Sequence, residues 1–187
     1  MTKKTVFFMA ALAAVFAGAV PALAQDGTIW LDETDLSVMK CGWSTPKAGK
    51  SVDGNPLTIG GKKFDRGVGT HAFSTFLLNL DNRGNRFVAS VGVDDETRNP
   101  EASVEFFVLG DKKELWKSGR MTTGDPAKPV DLDVSGVRLL GLLVTDAGDG
   151  IGYDHADWAD ARITVVGALT AAELTAAELV AERCATC

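Results

Sequence analysis

Histidine is scarce in this chain: His71 and His155 are the only two in 187 residues. With no H-x-x-x-H pair and no C-x-x-C nearby, they do not supply the ligand set of a zinc site. Cysteine is scarce as well. Cys41 stands alone, and Cys184 and Cys187 form a single C-x-x-C, so no disulfide framework is specified. Cys41 reads as a buried free thiol. The strained G-x-S-x-G turn of a serine hydrolase is missing, although Ser74 follows His71 closely. Basic charge is in deficit. Nineteen Lys and Arg against 25 Asp and Glu give a formal charge of −6, which argues against nucleic acid as a partner. Past residue 24 no apolar run is long enough to cross a bilayer.

The first 24 residues follow a different logic. Lys3 and Lys4 precede the apolar "TVFFMAALAAVFAGAV", and Ala22–Ala24 form a small-residue cleavage box. This is the layout of a secretory signal peptide, so residues 1–24 are expected to be removed and the protein to be secreted or periplasmic. Removal of Lys3 and Lys4 takes the formal charge to −8 and leaves 163 residues, about one domain. An acidic surface suits neutral or cationic ligands, or calcium.

From Thr28 to Val166 the pattern is β. "RFVASVGV" places Phe87, Ala89, Val91 and Val93 on one face, and "ASVEFFVL" does the same with Ala102, Val104, Phe106 and Val108. Such alternation marks half-buried strands. "RLLGLLV" is apolar on both faces and reads as a central strand. Many short strands with turn signals and no intervening helix predict an all-β antiparallel sandwich or jelly roll over residues 25–167. The composition changes in 168–187. Thr170 and Glu173 form a capping box, and Ala, Leu and Glu dominate. A C-terminal helix is expected from about Thr170 to the C-x-x-C, lying outside the β domain.

If each strand crosses the sandwich once, segments 94–101, 118–129 and 145–161 become long loops at one end. The approach to His71 opens there too. Turns 81–86, 110–114 and 134–137 fall at the other end. The long-loop end gathers His71, Asp94, Asp95, Glu96, Arg98, Asp149, Asp154, His155, Asp157 and Trp158, and a binding site is expected where long polar loops collect.

The chemistry of that end is open to several readings. Glycoside hydrolysis needs two carboxyls at a set separation, one with a raised pKa, and acids are abundant here. Asp94, Asp95 and Asp149 lie in crowded stretches that suit turns or calcium, which takes carboxylates and carbonyls from irregular loops. Sugar binding needs an aromatic face and fixed polar groups. Trp43, in a loop with no strand pattern to bury it, joins His71, Arg98, Asp154, His155 and Trp158 as candidates. The competing reading of Trp158 is burial, because "DWADARI" runs into a strand. That of each histidine is a structural hydrogen bond.

The stretches "NPLTIGGKKFDRGVGTHAFSTF", "FVASVGVDDE", "VEFFVLGDKKELWKSGRMTTGDPAKPVDLDVSGV", "LLGLLVTDAGDG" and "DHADWADARI" resemble, in order, the NPCBM family of carbohydrate-binding modules. The resemblance covers Thr28 to Val166. It implies a galactose-binding-like β-sandwich jelly roll without catalytic activity, a glycan partner of the galactose type, a fused downstream domain and, in some members, calcium. The tail "AERCATC" resembles the start of a class I cytochrome c domain. That resemblance implies covalent haem c on Cys184 and Cys187 if a histidine follows, and hence an exported redox or electron-transfer protein as the alternative function.

Overall fold

The computed structural model describes residues 26–175. The expected signal peptide and the Cys184–Cys187 motif lie outside the described residues. Twelve strands follow in chain order: β1 (Gly27–Trp30), β2 (Lys47–Ala48), β3 (Thr58–Ile59), β4 (Lys62–Lys63), β5 (Gly67–His71), β6 (Ser74–Asn79), β7 (Gly84–Val93), β8 (Ser103–Gly110), β9 (Lys113–Thr122), β10 (Lys128–Asp133), β11 (Leu139–Thr145) and β12 (His155–Val165). A short helix, α1 (Ala171–Thr175), closes the described chain.

All pairings are antiparallel, as the alternating patterns require. One sheet runs β10-β7-β12-β5-β2, with β1 also on β12; the other runs β6-β11-β8-β9. Their inner faces form one core. Phe87, Val91 and Trp158 come from the first sheet, and Phe76, Phe106, Val108, Leu140 and Leu142 from the second. Trp158 meets Phe106 edge-on across the two sheets at 5.1 Å. The result is the expected all-β jelly-roll sandwich, with β11 an interior strand.

The hairpin β3–β4 lies on the outer face of the first sheet. Leu57, Ile59 and Phe64 cover Ala159 in a second small core. Gly92 makes this approach feasible, because a Cβ there would overlap the Ile59 side chain.

Two strand boundaries differ from expectation. β9 continues to Thr122, so the loop after it is only 123–127. Half of β9 is exposed at the edge of its sheet and Met121 is its one buried residue, which leaves no hydrophobic alternation to read. β12 begins at His155, seven residues before the expected Arg162. It carries a bulge between Ala159 and Arg162, and Asp160 sits at φ 49°. A bulge adds one residue and resets the two-residue period. Ala156 and Trp158 face the core before it; Ala161, Ile163 and Val165 face the core after it. The parity break hides the strand from pattern reading.

The helix begins as expected. The Thr170 hydroxyl accepts the Glu173 N–H, and the Glu173 carboxylate accepts the Thr170 N–H. Its first turn does not stand apart from the β domain. Leu169 and Leu174 are buried in the main core, and Glu173 pairs with Arg83 at 3.5 Å. The leucine that ends this first turn finds apolar surface on the sandwich itself.

Candidate functional site

The loop ends sort as strand parity requires. Turns at 80–83, 111–112 and 134–138 interlock through Leu80 N–H to the Arg138 carbonyl, Asp111 N–H to the Leu139 carbonyl and Val134 N–H to the Asn85 carbonyl. The opposite end carries loops 94–102 and 146–154 and the segment around Trp43. His71 ends β5 and His155 starts β12, and the two are register partners. Partners in an antiparallel pair project to the same face.

A cavity of about 460 Å³ opens at this end, lined by Trp43, His71 and His155, by Asp53, Glu96 and Thr97, and by Ile151 and Tyr153. Three rings form its floor. Trp43 lies 5.7 Å from His155 at a 22° tilt and 5.6 Å from His71, and the two imidazoles are 5.4 Å apart. Both histidines are buried, whereas Trp43 is 50% exposed. The loop that carries Trp43 is anchored by the Lys40–Thr75 bridge and by Gly42 N–H on the His71 carbonyl. The Cys41 thiol, half-buried rather than buried, donates to the Trp43 carbonyl at 2.9 Å.

The polar groups are fixed in orientation. His71 Nδ1 lies 2.7 Å from the Ala72 carbonyl, which only accepts, so Nδ1 carries the proton and Nε2 keeps its lone pair. Burial lowers the His71 pKa and favours this neutral form. His155 Nδ1 lies 2.7 Å from Glu96 Oε1, so His155 is held in the same way by a carboxylate. Glu96 also accepts from the Ser51 hydroxyl, the Asn55 amide and the Asp53 N–H. Burial alone would raise its pKa. The hydrogen bonds from His155, Ser51, Asn55 and Asp53 outweigh it and lower the value to about 2.

Other predicted site residues have different employment. Trp158 is fully buried between Phe87 and Phe106. Asp154 is fully buried too, and its Oδ1 accepts the Ser103 N–H at the start of β8. Burial pushes its pKa up to about 6. Arg98, in a left-handed conformation at φ 47°, lines a neighbouring concavity with Asn55 and Lys63. Thus Trp43, His71 and His155 come together, and Arg98, Asp154 and Trp158 lie apart from them.

The expected calcium ligands do not converge. Asp94 accepts N–H groups from Thr58 and Glu96. Asp95 accepts those of Gly60 and Gly61, and Asp149 accepts from Ser103 and Arg120. Each of these acids holds its own loop, and among the described residues the three do not form one cluster of ligand atoms. Among the described residues, Asp53, Glu96 and His155 are the group whose ligand atoms converge, within 4.8 Å.

Nor do the acids with a raised pKa belong to this cavity. The carboxyls driven upward by burial are Asp94, Asp154 and Asp157, and none of them lines it. Asp157 is wholly buried, and the nearby Asp94 raises it further, well above the ordinary range. It is a core group on β12 under the hairpin. A general acid beside a sugar needs a raised pKa at the cavity wall.

Asp53 and Tyr153 were not singled out from the sequence. Tyr153 is the chain's sole tyrosine and follows the glycine-rich "GDGIG", a usable signal. Asp53 sits in "VDGN", where a turn is the ordinary reading.

The family model for the NPCBM/NEW2 domain matches residues 27–164. The chain is 36% identical over 162 residues to an alpha-1,3-galactosidase B of Akkermansia muciniphila, covering 80% of this chain and 20% of that protein. Among solved structures, the CBM51 of a Clostridium perfringens GH95 protein in complex with methyl-galactose superposes with a TM-score of 0.67. It is 34% identical and covers 73% of this chain and 99% of that chain. The CBM51-2 in complex with GlcNAc and INT domains from Clostridium perfringens ZmpB gives a TM-score of 0.69 at 27% identity. It covers 75% of this chain and 32% of that chain. The chain spans a fifth or less of the length of the curated relatives it matches.

Proposed function

This chain belongs to the NPCBM/NEW2 domain family, and from that premise we propose that it is a non-catalytic carbohydrate-binding module that holds a galactose-type glycan in the Trp43–His71–His155 cavity. The observation that carries the proposal is the ring triangle. A half-exposed indole offers a flat apolar face to the C–H side of a pyranose. Beside it stand two oriented imidazoles: His71, its Nδ1 proton committed to the Ala72 carbonyl, presents Nε2 as an acceptor for a sugar hydroxyl, and His155 is held by Glu96. The likeness to a module solved with methyl-galactose supports the choice of sugar.

The rigidity of the site supports specificity. Glu96 locks His155, and the Ala72 carbonyl locks His71, so both rings are placed before the ligand arrives. Preorganised groups lose little freedom on binding. A glycan array followed by titration calorimetry tests the proposal. Saturable binding of galactose-terminated glycans is expected. Absence of binding to every glycan at millimolar concentration would refute it.

The module's setting is proposed on sequence grounds. Residues 1–24 support export, and relatives several times longer support a fused partner domain that the module brings to its glycan. The Cys184–Cys187 pair supports covalent haem c downstream only where histidine occupies position 188. Mass spectrometry of the exported protein reads out both signal cleavage and haem attachment.

A further inference from the structure

Tyr153 walls two concavities at once. One is the cavity of Trp43, His71 and His155. The other, about 350 Å³, is lined by Glu101, Arg120, Asp149, Gly150, Gly152 and Tyr153. The tyrosine side chain is 54% exposed. Its backbone sits at φ 66°, a conformation bulky residues adopt only where the surroundings impose it. Here the imposing loop is tied by Asp146, whose carboxylate accepts the N–H groups of Gly148 and Gly150. The Tyr153 carbonyl in turn accepts the His155 N–H at 2.8 Å. An exposed aromatic residue thus stands on a tied backbone between two hollows.

The second hollow is polar, and its guanidinium is paired with a carboxylate. Arg120 Nη2 lies 2.5 Å from Asp149 Oδ2, and the Ser103 hydroxyl donates to the same carboxylate. Asp149 offsets the guanidinium charge, so the pair is a poor trap for an anion. It still offers N–H donors, because a guanidinium has five and the bond to Asp149 uses one. Glu101, exposed on the rim, adds acceptor oxygens. Donors and acceptors beside an aromatic residue complement a neutral, polyhydroxylated ring.

We infer that this hollow is a second sugar subsite, which takes the neutral hexose adjoining the terminal sugar, with Tyr153 between the two. The inference rests on the glycan reading of the first cavity and extends it from a monosaccharide to an oligosaccharide. It also explains why a loop of three glycines, positions 148, 150 and 152, holds its one aromatic residue in the open.

Titration calorimetry of the full chain tests it, using methyl galactoside and a panel of neutral galactose-terminated di- and trisaccharides. The best oligosaccharide is expected to bind about fivefold to tenfold tighter than the monosaccharide. Arg120 is half-exposed on the edge strand β9, so Arg120→Ala is expected to fold normally. It should abolish the gain and leave methyl galactoside affinity within about twofold. Asp149→Asn, which weakens the hold on the Arg120 guanidinium while keeping the shape, should reduce the gain as well. Equal affinity across the panel, or a gain that survives both substitutions, overturns the second subsite. Failure of wild-type chain to bind methyl galactoside overturns the glycan reading itself, and the subsite with it.

Discussion

His71 and His155 are register partners across β5 and β12, and their rings lie 5.4 Å apart on one face of the sheet. The two histidines of the chain are 84 positions apart in sequence, yet strand pairing alone brings them together. Trp43, from a loop outside both strands, completes the triangle.

The tryptophans divide by role. Trp43→Ala removes a half-exposed ring from the cavity. Galactoside affinity is expected to fall about tenfold or more, with little change in Tm. Trp158→Ala removes a fully buried ring from the centre of the core. It should cost about 3–5 kcal/mol of stability. Calorimetric titration and thermal unfolding of both variants check the contrast, and a Trp43 variant with undiminished affinity would place the sugar elsewhere.

Binding should weaken in acid. Burial lowers the His71 pKa below its ordinary 6.5, and the proposed contact uses neutral Nε2 as acceptor. Protonation removes that lone pair, so affinity is flat above pH 6.5 and falls as pH drops through the lowered value. The same shift makes the folded state bind this proton less readily than the unfolded chain, so His71 costs stability below pH 6.5 and not above it. His155 and Asp53 face the same space, so His71→Gln isolates the effect. The variant should show a shallower pH profile in calorimetry.

Two carboxyls act on stability in opposite directions. Glu96, lowered from 4.5 to about 2, contributes stability that is present above pH 4.5 and lost as pH falls toward 2. Asp154, raised from 3.8 to about 6, favours its neutral form in the fold, so it costs stability as pH rises from 3.8 through 6. One of its oxygens is buried without a partner. Asp154→Asn keeps the acceptor for Ser103 and is expected to stabilise by about 1–2 kcal/mol at pH 7.5, with the gain vanishing near pH 4. Denaturant unfolding at the two pH values checks this. The variant should bind sugar normally, because Asp154 does not line the cavity.

The hairpin depends on one acid. Asp95 accepts two N–H groups from the Gly60–Gly61 turn, so Asp95→Ala is expected to cost about 1–3 kcal/mol. Hydrogen exchange should quicken first at Ile59–Lys63. Unchanged exchange there would show that the small core of Leu57, Ile59 and Phe64 suffices.

Much of this was legible in the residues. The alternation of Phe87–Val93 and Val104–Val108 specifies two strands outright, and counting strand crossings puts His71 and His155 at one end. The start of β12 was not legible, because the bulge at Asp160 resets the period and because Asp157, an acid by composition, is fully buried. Side-chain direction was not legible either. Asp154 and His155 are adjacent in sequence, but only His155 meets the cavity, since neighbours in an extended chain point to opposite faces. Glu96 belonged to the expected end, but its grip on His155 arises from a fold contact 59 residues long.

The central claim is the location of the sugar, and the most direct test is a nuclear magnetic resonance titration of the ¹⁵N-labelled chain with methyl galactoside. The indole N–H of Trp43 and the amides of His71, Glu96 and Tyr153–His155 should shift together and saturate, while the Trp158 indole stays still. Saturable shifts centred on the turns at 80–83, 111–112 and 134–138, with Trp43 unmoved, would contradict it.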